Sequence, residues 1–506
     1  MLKIFPNFAI KTNPVKLILY FLDRNAMTIN DIHEFIDSLE KAGELKRVKT
    51  EVDTNLEIAE ILRRVSYTNG PAVLFENVKD YEIPVLGNAF GSVKRLEIGL
   101  ETTEFSEIGQ RITDMTKMEI PSGIFNKIKK LPELSKMSES FPKLEKSGPV
   151  TEIVNKSPTF DKIPIIKSWP KDAGKFITFG LVATKHPETD VRNLGVYRIQ
   201  IVDNTHALMH WQKHKRGAAH HDMSKEKNNR TDAAIIIGGD PATVFSAIAP
   251  VPEGLDKYLF AGIARKKGIS TVKCKTVDLE VPANAEIVLE GYVDAADVRD
   301  EGPFGDHTGY YTPKEPFPTF TLTGIMQRKN PVYLTTVVGK PILEDAYIGK
   351  AIERSFLPLI QMLQPEVIDF SMPPAGWFQG LAIVSIKKRY PGQAKKIMMG
   401  LWGMGQLALT KIIVVVDHDV NVHDMNEVIW AITTRTDAAR DTTIINNAPT
   451  DTLDPASPKV NLGSKLGIDA TQKTLEEGFE REVQEQVKVD DDTKTTVDSK
   501  WSSYGL

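Results

Sequence analysis

The sequence predicts a multidomain protein of mixed α/β and α+β class, on three observations. Its 506 residues correspond to about three domains at roughly 100–200 residues each. Apolar residues make up 41% and charged residues 26%, enough to bury sizeable cores and too apolar for a chain disordered throughout. The texture also changes along the chain: helix and strand alternate at first, short β-rich runs follow, and apolar strands then flank a helical stretch.

Thr28 and Asp31 are spaced like a capping box before Ile32, Phe35, Ile36 and Leu39, which recur at helical spacing, and Gly43 stands where a helix stop belongs. A first α/β domain is therefore expected over 27–120, with a helix at 56–65 and a buried strand at 72–75. Residues 1–26 read as an appendage. No run there approaches the ~18 apolar residues of a spanning helix, and the lysine-bearing start lacks a small-residue cleavage site before Arg24. Residues 120–165, rich in Lys, Pro and Ser, read as a surface connector. Across 121–340 short strands are expected at 176–184, 193–202, 233–237, 271–274, 287–293, 320–325 and 332–338, separated by Gly and Pro, the pattern of a barrel or sandwich. A linker helix is expected within 341–364, kinked or interrupted at Pro358. A third domain, 365–489, has strands at 381–386 and 412–416 around a helical stretch at 393–409, and 490–506 reads as a frayed polar tail.

Lys and Arg total 63 against 67 Asp and Glu, a formal charge of −4; this balance argues against a dedicated nucleic-acid binder. Cys274 is the single cysteine, so neither an internal disulfide nor a multi-cysteine zinc site can form, and a reducing, cytoplasmic setting is expected. The chain has no Walker A loop, no Gly-x-Gly-x-x-Gly between strand and helix, no His-Glu-x-x-His and no Gly-x-Ser-x-Gly, which counts against the corresponding enzyme classes.

Three segments carry chemistry. In Asn193-Leu194-Gly195-Val196-Tyr197-Arg198-Ile199-Gln200, a strand would put Arg198 in an apolar row with Leu194 and Val196. A buried guanidinium there needs an anion, either a ligand or a structural carboxylate. The second segment, Met209 to Gly217 followed by His220 and His221, holds His210, His214, Lys215 and Arg216. It suits a metal or a phosphate, or else is a solvated basic loop. The third, Glu301-Gly302-Pro303-Phe304-Gly305-Asp306-His307, sets two carboxylates five residues apart in a Gly/Pro turn. With an arginine between them, one would stay ionised while the other, in an apolar setting, would have a raised pKa and deliver a proton; an ordinary acidic loop is the competing reading.

In this order the three segments resemble the UbiD family of reversible decarboxylases. So do Gly239-Asp240-Pro241-Ala242, Pro250-Val251-Pro252-Glu253-Gly254, Asp278 to Ala283 with Glu290-Gly291, Val428 to Arg435, and Leu462 to Thr471. The resemblance is collinear from Thr28 to Thr471. It implies an N-terminal α/β domain, a central split β-barrel that binds flavin, and a C-terminal α+β domain that assembles a homo-oligomer, dimer or hexamer. It also implies prenylated FMN from a flavin prenyltransferase, a divalent metal (usually Mn²⁺) and often K⁺. Carried over by position, Arg198 orients the substrate carboxylate, Glu301 partners it and Asp306 protonates the carbon. Val196, Tyr197, Trp211 and Gln212 line the flavin, Lys215 and Arg216 lie near its polar end, and Asn193 and His214 are metal ligands.

The chain departs from the family at one position. The family's metal-binding glutamate falls on Lys257, which cannot ligate a metal while protonated. Asp256 or Glu253 replaces the ligand, the Lys257 ammonium replaces the cation and binds the phosphate directly, or the cofactor site is impaired. The implied activity is decarboxylation of an α,β-unsaturated acid. The basic stretch 210–221 leans toward a phosphorylated enoic acid, trans-anhydromevalonate 5-phosphate. The alternative is a 3-polyprenyl-4-hydroxybenzoate or another aromatic acid. Two readings of other classes are a non-catalytic flavin-binding assembly partner and a metal-dependent hydrolase built on the histidines.

Overall fold

The computed structural model describes residues 29–117, 138–227, 230–251, 254–340, 343–482 and 484–505. The expected appendage, Thr28, Glu253 and all of 118–137 lie outside them.

The N-terminal unit comprises α1 (Ile32–Lys41), β1 (Leu45–Val48), α2 (Glu57–Tyr67), β2 (Ala72–Phe75), β3 (Val85–Gly87), α3 (Val93–Leu100) and α4 (Ser106–Lys117). Asp31 caps α1, its side chain accepting from Glu34 N at 2.9 Å, so the cap lies three residues beyond the Thr28 expected for it. Glu34 reaches back to Asn30 N at 2.7 Å. The connector is not a bare surface loop. It holds β4 (Lys143–Leu144) and β5 (Ile153–Asn155), and buries Val150, Phe160, Ile163 and Ile165.

The central unit contains β6 (Phe176–Lys185), β7 (Arg192–Ile201), β8 (His206–Met209), α5 (Arg216–Glu226), β9 (Thr231–Ile237), α6 (Pro241–Ile248), α7 (Lys257–Arg265), β10 (Ser270–Lys273), β11 (Glu280–Pro282), β12 (Ile287–Glu301), β13 (Phe304–Gly305), β14 (Tyr311–Thr312), β15 (Glu315–Gln327) and β16 (Tyr333–Leu334). Strands β12-β9-β6-β7-β8-β15 pair antiparallel in that order, and β15 pairs again with β12, closing a six-stranded ring with β5 appended. Closure leaves the ring no free edge. Strand alternation sorts the side chains into two cores. Ile177, Val182, Ile199, Ile235 and Leu289 pack in one, and Phe179, Leu181, Leu194 and Ile236 pack with α1, α3, α6 and α7 in the other. β16 leaves the ring and pairs parallel with β3, completing the N-terminal sheet β1-β2-β3-β16.

Next come α8 (Glu344–Leu363), β17 (Val367–Ser371), β18 (Leu381–Ile386), α9 (Gln393–Trp402), β19 (Ile412–Asp417), α10 (Met425–Arg435), β20 (Thr442–Pro449), β21 (Leu462–Ala470) and α11 (Asp491–Lys500). The sheet order is β17-β18-β19-β21-β20, with its central strands parallel and buried on both faces, by α9 on one side and α10 on the other. α8 runs through Pro358 as one helix rather than stopping there. The tail is not frayed: Asp490 caps α11, which is largely exposed along its length.

Candidate active site

β7 leaves Arg198 facing a cavity of about 750 Å³ between the ring, α8 and the C-terminal unit. The guanidinium is buried, with three of its groups engaged. Nε donates to Glu301 Oε1 at 2.7 Å and Nη2 to Glu301 Oε2 at 2.8 Å, a bidentate fork, and Nη1 donates to Asp306 Oδ2 at 2.5 Å. Nη2 also reaches Thr312 Oγ1 at 3.1 Å, and the group lies 4.9 Å from the centre of the Phe304 ring. Glu301 ends the long strand β12, which the β15 pairing carries to its last residue, Glu301↔Glu315. Gly302, at φ +93, turns the chain there, and its N donates to Gln200 Oε1 at 2.7 Å. Asp172 holds the far side of the loop by accepting from Gly305 N at 2.8 Å.

Burial would raise both carboxyls, but their partners win. Against desolvation, His210 and Arg198 hold Glu301 at about 2. His307 and Arg198 keep Asp306 below its usual range. This corrects the expectation of an apolar, pKa-raised Asp306: in this state both acids are ionised around one cation.

Sequence reasoning misses three partners. His210 Nδ1 lies 3.3 Å from Glu301 Oε2, and burial with the nearby Arg198 lowers its pKa. His307 N donates to Asp306 Oδ1 at 2.7 Å, and its Nδ1 meets Asp345 Oδ2 from α8. Although burial opposes it, Asp345 and then Asp306 raise His307 to about 9. Its place beside Asp306 is the only local signal; nothing in the sequence links either residue to Asp345.

Val196, Tyr197, Arg198, Gln212 and Lys215 line the cavity together with His210, Asp306 and His307. Trp211 and Arg216 do not line it: Trp211 is buried against His221, and Arg216 Nη2 donates to Val251 O. The expected basic loop is the helix α5 from Arg216 onward, and its His220 and His221 are buried on Thr184 and Thr231. Burial lowers His220 to about 4.

A flavin fits these residues. The cavity has room for a tricyclic ring, an apolar wall, and the buried His210 Nε2 on its lining with no protein partner; Asn193 Nδ2 and Trp211 Nε1 are likewise buried and unpartnered on the strand and turn beside it. A divalent metal does not fit. Asn193 is buried but His214 is exposed. Asp256, offered as a replacement ligand, accepts from Tyr258 N and Leu259 N as the cap of α7, and pairs with Arg192. Lys257 Nζ is spent on backbone carbonyls rather than offered to a phosphate. No group of three His, Cys, Asp or Glu near enough to share an ion occurs among the described residues.

Comparisons with known proteins place the chain. The family model described as the 3-octaprenyl-4-hydroxybenzoate carboxy-lyase N-terminal domain matches residues 36–112, the Rift-related domain 143–341 and the C-terminal domain 346–470. An uncharacterised protein of Archaeoglobus fulgidus is 51% identical over 94% of this chain and 98% of its own. One of Aquifex aeolicus is 46% identical over 94% and 99%. Among solved structures, the vanillic acid decarboxylase of Sedimentibacter hydroxybenzoicus in closed form is similar with a TM-score of 0.84 at 28% identity, covering 94% of this chain and 99% of that one. The UbiD-class enzyme HmfF of Pelotomaculum thermopropionicum, in complex with FMN, is similar with a TM-score of 0.76 at 28% identity, covering 91% and 97%. The fold and the site thus define a carboxy-lyase. The chain belongs to the UbiD family.

Proposed function

We propose that this protein removes CO₂ from an α,β-unsaturated acid with the aid of prenylated FMN, made by a flavin prenyltransferase. The observation that carries the reading is Arg198, buried at the cavity wall, forked by Glu301 and touched on its remaining edge by Asp306. Losing CO₂ from an sp² carbon leaves an electron pair that no side chain can delocalise, and the bound flavin supplies the electron sink for it. The closed ring is read as the split barrel that holds it, with Val196, Tyr197, Gln212 and Lys215 against it. A form of HmfF is described in complex with prenylated FMN.

Glu301 keeps Arg198 ionised and fixed in the plane of its fork. The substrate carboxylate takes the Nη1 edge now held by Asp306. Asp306 then loses its guanidinium partner and gains a like charge, so its pKa rises and it takes up a proton. When the C–C bond to the carboxylate breaks, Arg198 releases CO₂ and Asp306 returns a proton to the carbon. The His307 ring, whose Nε2 lies 3.7 Å from Asp306 Oδ1, restores that proton from solvent.

For the substrate, Lys215 and His307 facing the cavity favour a phosphorylated enoic acid such as trans-anhydromevalonate 5-phosphate. A second reading has its own support. Ile348, Ile352, Phe356 and Leu359 of α8 give the cavity an apolar wall that suits an aromatic acid bearing a hydrocarbon chain. Incubating reconstituted holoprotein with each acid and measuring CO₂ decides between them. Release from neither defeats the decarboxylase reading and leaves the non-catalytic flavin-binding partner. We assign oligomer assembly to the C-terminal unit, where α10 and β20 leave Ile429, Trp430 and Ile444 exposed. We keep the division 27–120, 121–340, 341–364 and 365–489, with β16 crossing back into the first unit.

A further inference from the structure

We propose that Asp345 is the positioning residue of the proton return: it fixes the imidazole of His307 with a hydrogen on Nδ1, so that Nε2 alone passes protons to Asp306. The inference rests on the decarboxylase reading above and adds to it the residue that decides which ring nitrogen works.

Asp345 is itself held by one oxygen. It stands in the first turn of α8, where backbone N–H groups lack intrahelical partners. Its Oδ1 accepts from Leu343 N at 2.9 Å and from Ala346 N at 3.1 Å. Oδ2 is left for His307 Nδ1. A carboxylate oxygen only accepts, so the ring nitrogen it meets carries the hydrogen.

His307 is held from its backbone as well. It follows Asp306 in the turn between β13 and β14, which Gly309 N closes by donating to Asp306 O at 2.8 Å. Its ring lies edge-on to Phe378, with 5.6 Å between centres. With Nδ1 taken by Asp345, the free nitrogen is the one nearer the acid: Nε2 lies 3.7 Å from Asp306 Oδ1. A catalytic hydrogen bond is often this long before substrate binds and tightens in the complex. His307 and Asp345 both line the cavity, so water there reaches the ring.

The transfer balances. In the imidazolium both nitrogens carry hydrogen. The Nε2–H bond breaks as an O–H bond forms on Asp306, and the ring is left neutral with its hydrogen on Nδ1, still donated to Asp345. Cavity water then delivers a proton to the Nε2 lone pair. The charges around the ring suit this role. Asp345 from α8, Asp306 from its own turn and Asp451 from the loop after β20 favour the imidazolium against burial. Arg198 and His210 act on Asp306, and Lys215 acts on Asp451.

Asp345→Asn inverts the ring. Leu343 N and Ala346 N demand an oxygen at the Oδ1 place, so the amide nitrogen falls opposite His307 Nδ1 and donates to it. The neutral ring then carries its hydrogen on Nε2, and no lone pair faces the water that would recharge it.

The experiment uses the purified full-length chain labelled with ¹⁵N-histidine. The His307 signals are assigned by their loss in His307→Gln, and both ring nitrogens are followed by NMR from about pH 5 to about pH 10. In the parent, Nδ1 should keep its hydrogen throughout while Nε2 loses its own with a midpoint of about 9. In Asp345→Asn the neutral ring should be protonated on Nε2, and the midpoint should fall by about two pH units or more. A neutral parent ring protonated on Nε2, or a variant with the parent's tautomer and midpoint, overturns the proposal. A structural role alone would lower the Tm and leave the tautomer as it is. CO₂ release by reconstituted holoprotein, from whichever of the two acids above it decarboxylates, gives the second readout. Asp345→Asn should lower kcat ~10²–10⁴-fold with KM within about threefold of the parent's, and an unchanged kcat also overturns the proposal. If Asp345→Asn does not fold, the parent's tautomer decides alone. If neither acid releases CO₂, the decarboxylase reading falls and this inference with it. A wrong tautomer strikes only Asp345.

Discussion

At the scale of single residues, the site is one guanidinium shared by two acids that its neighbours keep ionised. Asp306 has to gain a proton to act, and what restrains it is His307 and Arg198. Asp306→Asn keeps a hydrogen bond to Arg198 but removes the transferable proton. Turnover should fall by ~10²–10⁴ while the Tm stays close to the parent's, and near-native CO₂ release would remove this mechanism. Arg198→Ala should abolish turnover and also destabilise the chain, because it strands Glu301 and Asp306 in the interior. The His307–Asp345 pair gives a pH signature. His307 is raised from 6.5 to about 9 in the folded chain. The stability this lends is fully present below pH ~6.5 and is lost as pH rises through ~9. Asp345→Asn keeps the Oδ1 contacts to Leu343 N and Ala346 N but removes the charge. The stability gap between parent and variant, read from urea melts, should therefore be widest below pH ~6.5 and close above pH ~9. A gap that does not change with pH would place the effect elsewhere than on His307.

At the scale of elements, what could be read in the sequence is what local pattern controls. The strands at 176–184, 193–202 and 381–386 show as apolar runs bounded by turn residues, and β6, β7 and β18 occupy them. What could not be read depends on tertiary contact. β12 and β15 run to 15 and 13 residues because their pairing resumes beyond a bulge after Asp294 and continues to Glu301, far beyond the apolar windows that announced them. Likewise Arg198 lies 103 residues from Glu301, and no spacing rule reveals that fork. The candidate site was legible as three segments, and the tie to Asp345 was not. α8 shows the same override. Pro358 removes one backbone donor, yet the helix continues because α4 packs against it, with Gly109 so close to the Ser355 carbonyl that a Cβ would lie 1.8 Å from it. Gly109→Ala must push the two helices apart. We expect a loss of about 1–3 kcal/mol in urea unfolding with unchanged m, and a neutral result would mean that the helices separate freely.

At the scale of the whole molecule, the cavity is walled by the ring on one side and by α8 and the C-terminal unit on the other, so the placement of these parts sets the space in front of Arg198. The C-terminal sheet bears on that placement through its edge strand. β20 is the last strand in the order β17-β18-β19-β21-β20, and an unpaired edge is a template for another chain. Ile445 packs on the α9 side of the sheet; its neighbour Ile444 therefore points to the α10 side, where it is 66% exposed. Ile429 and Trp430 stand open on α10 itself. A second copy of this chain is the occupant this edge suits: it would cover apolar side chains and satisfy the open strand at once. A single charge on Ile444 should then be enough to disrupt assembly without unfolding the sheet, because that side chain is not part of the core. Ile444→Asp is expected to elute from light-scattering chromatography as a smaller species than the parent, with its circular dichroism and Tm retained. If the parent is already monomeric at micromolar concentration, or the variant keeps the parent's mass, the edge is not the contact. If the variant is smaller and also slower in CO₂ release, assembly through β20 is what steadies the C-terminal wall of the cavity against the ring.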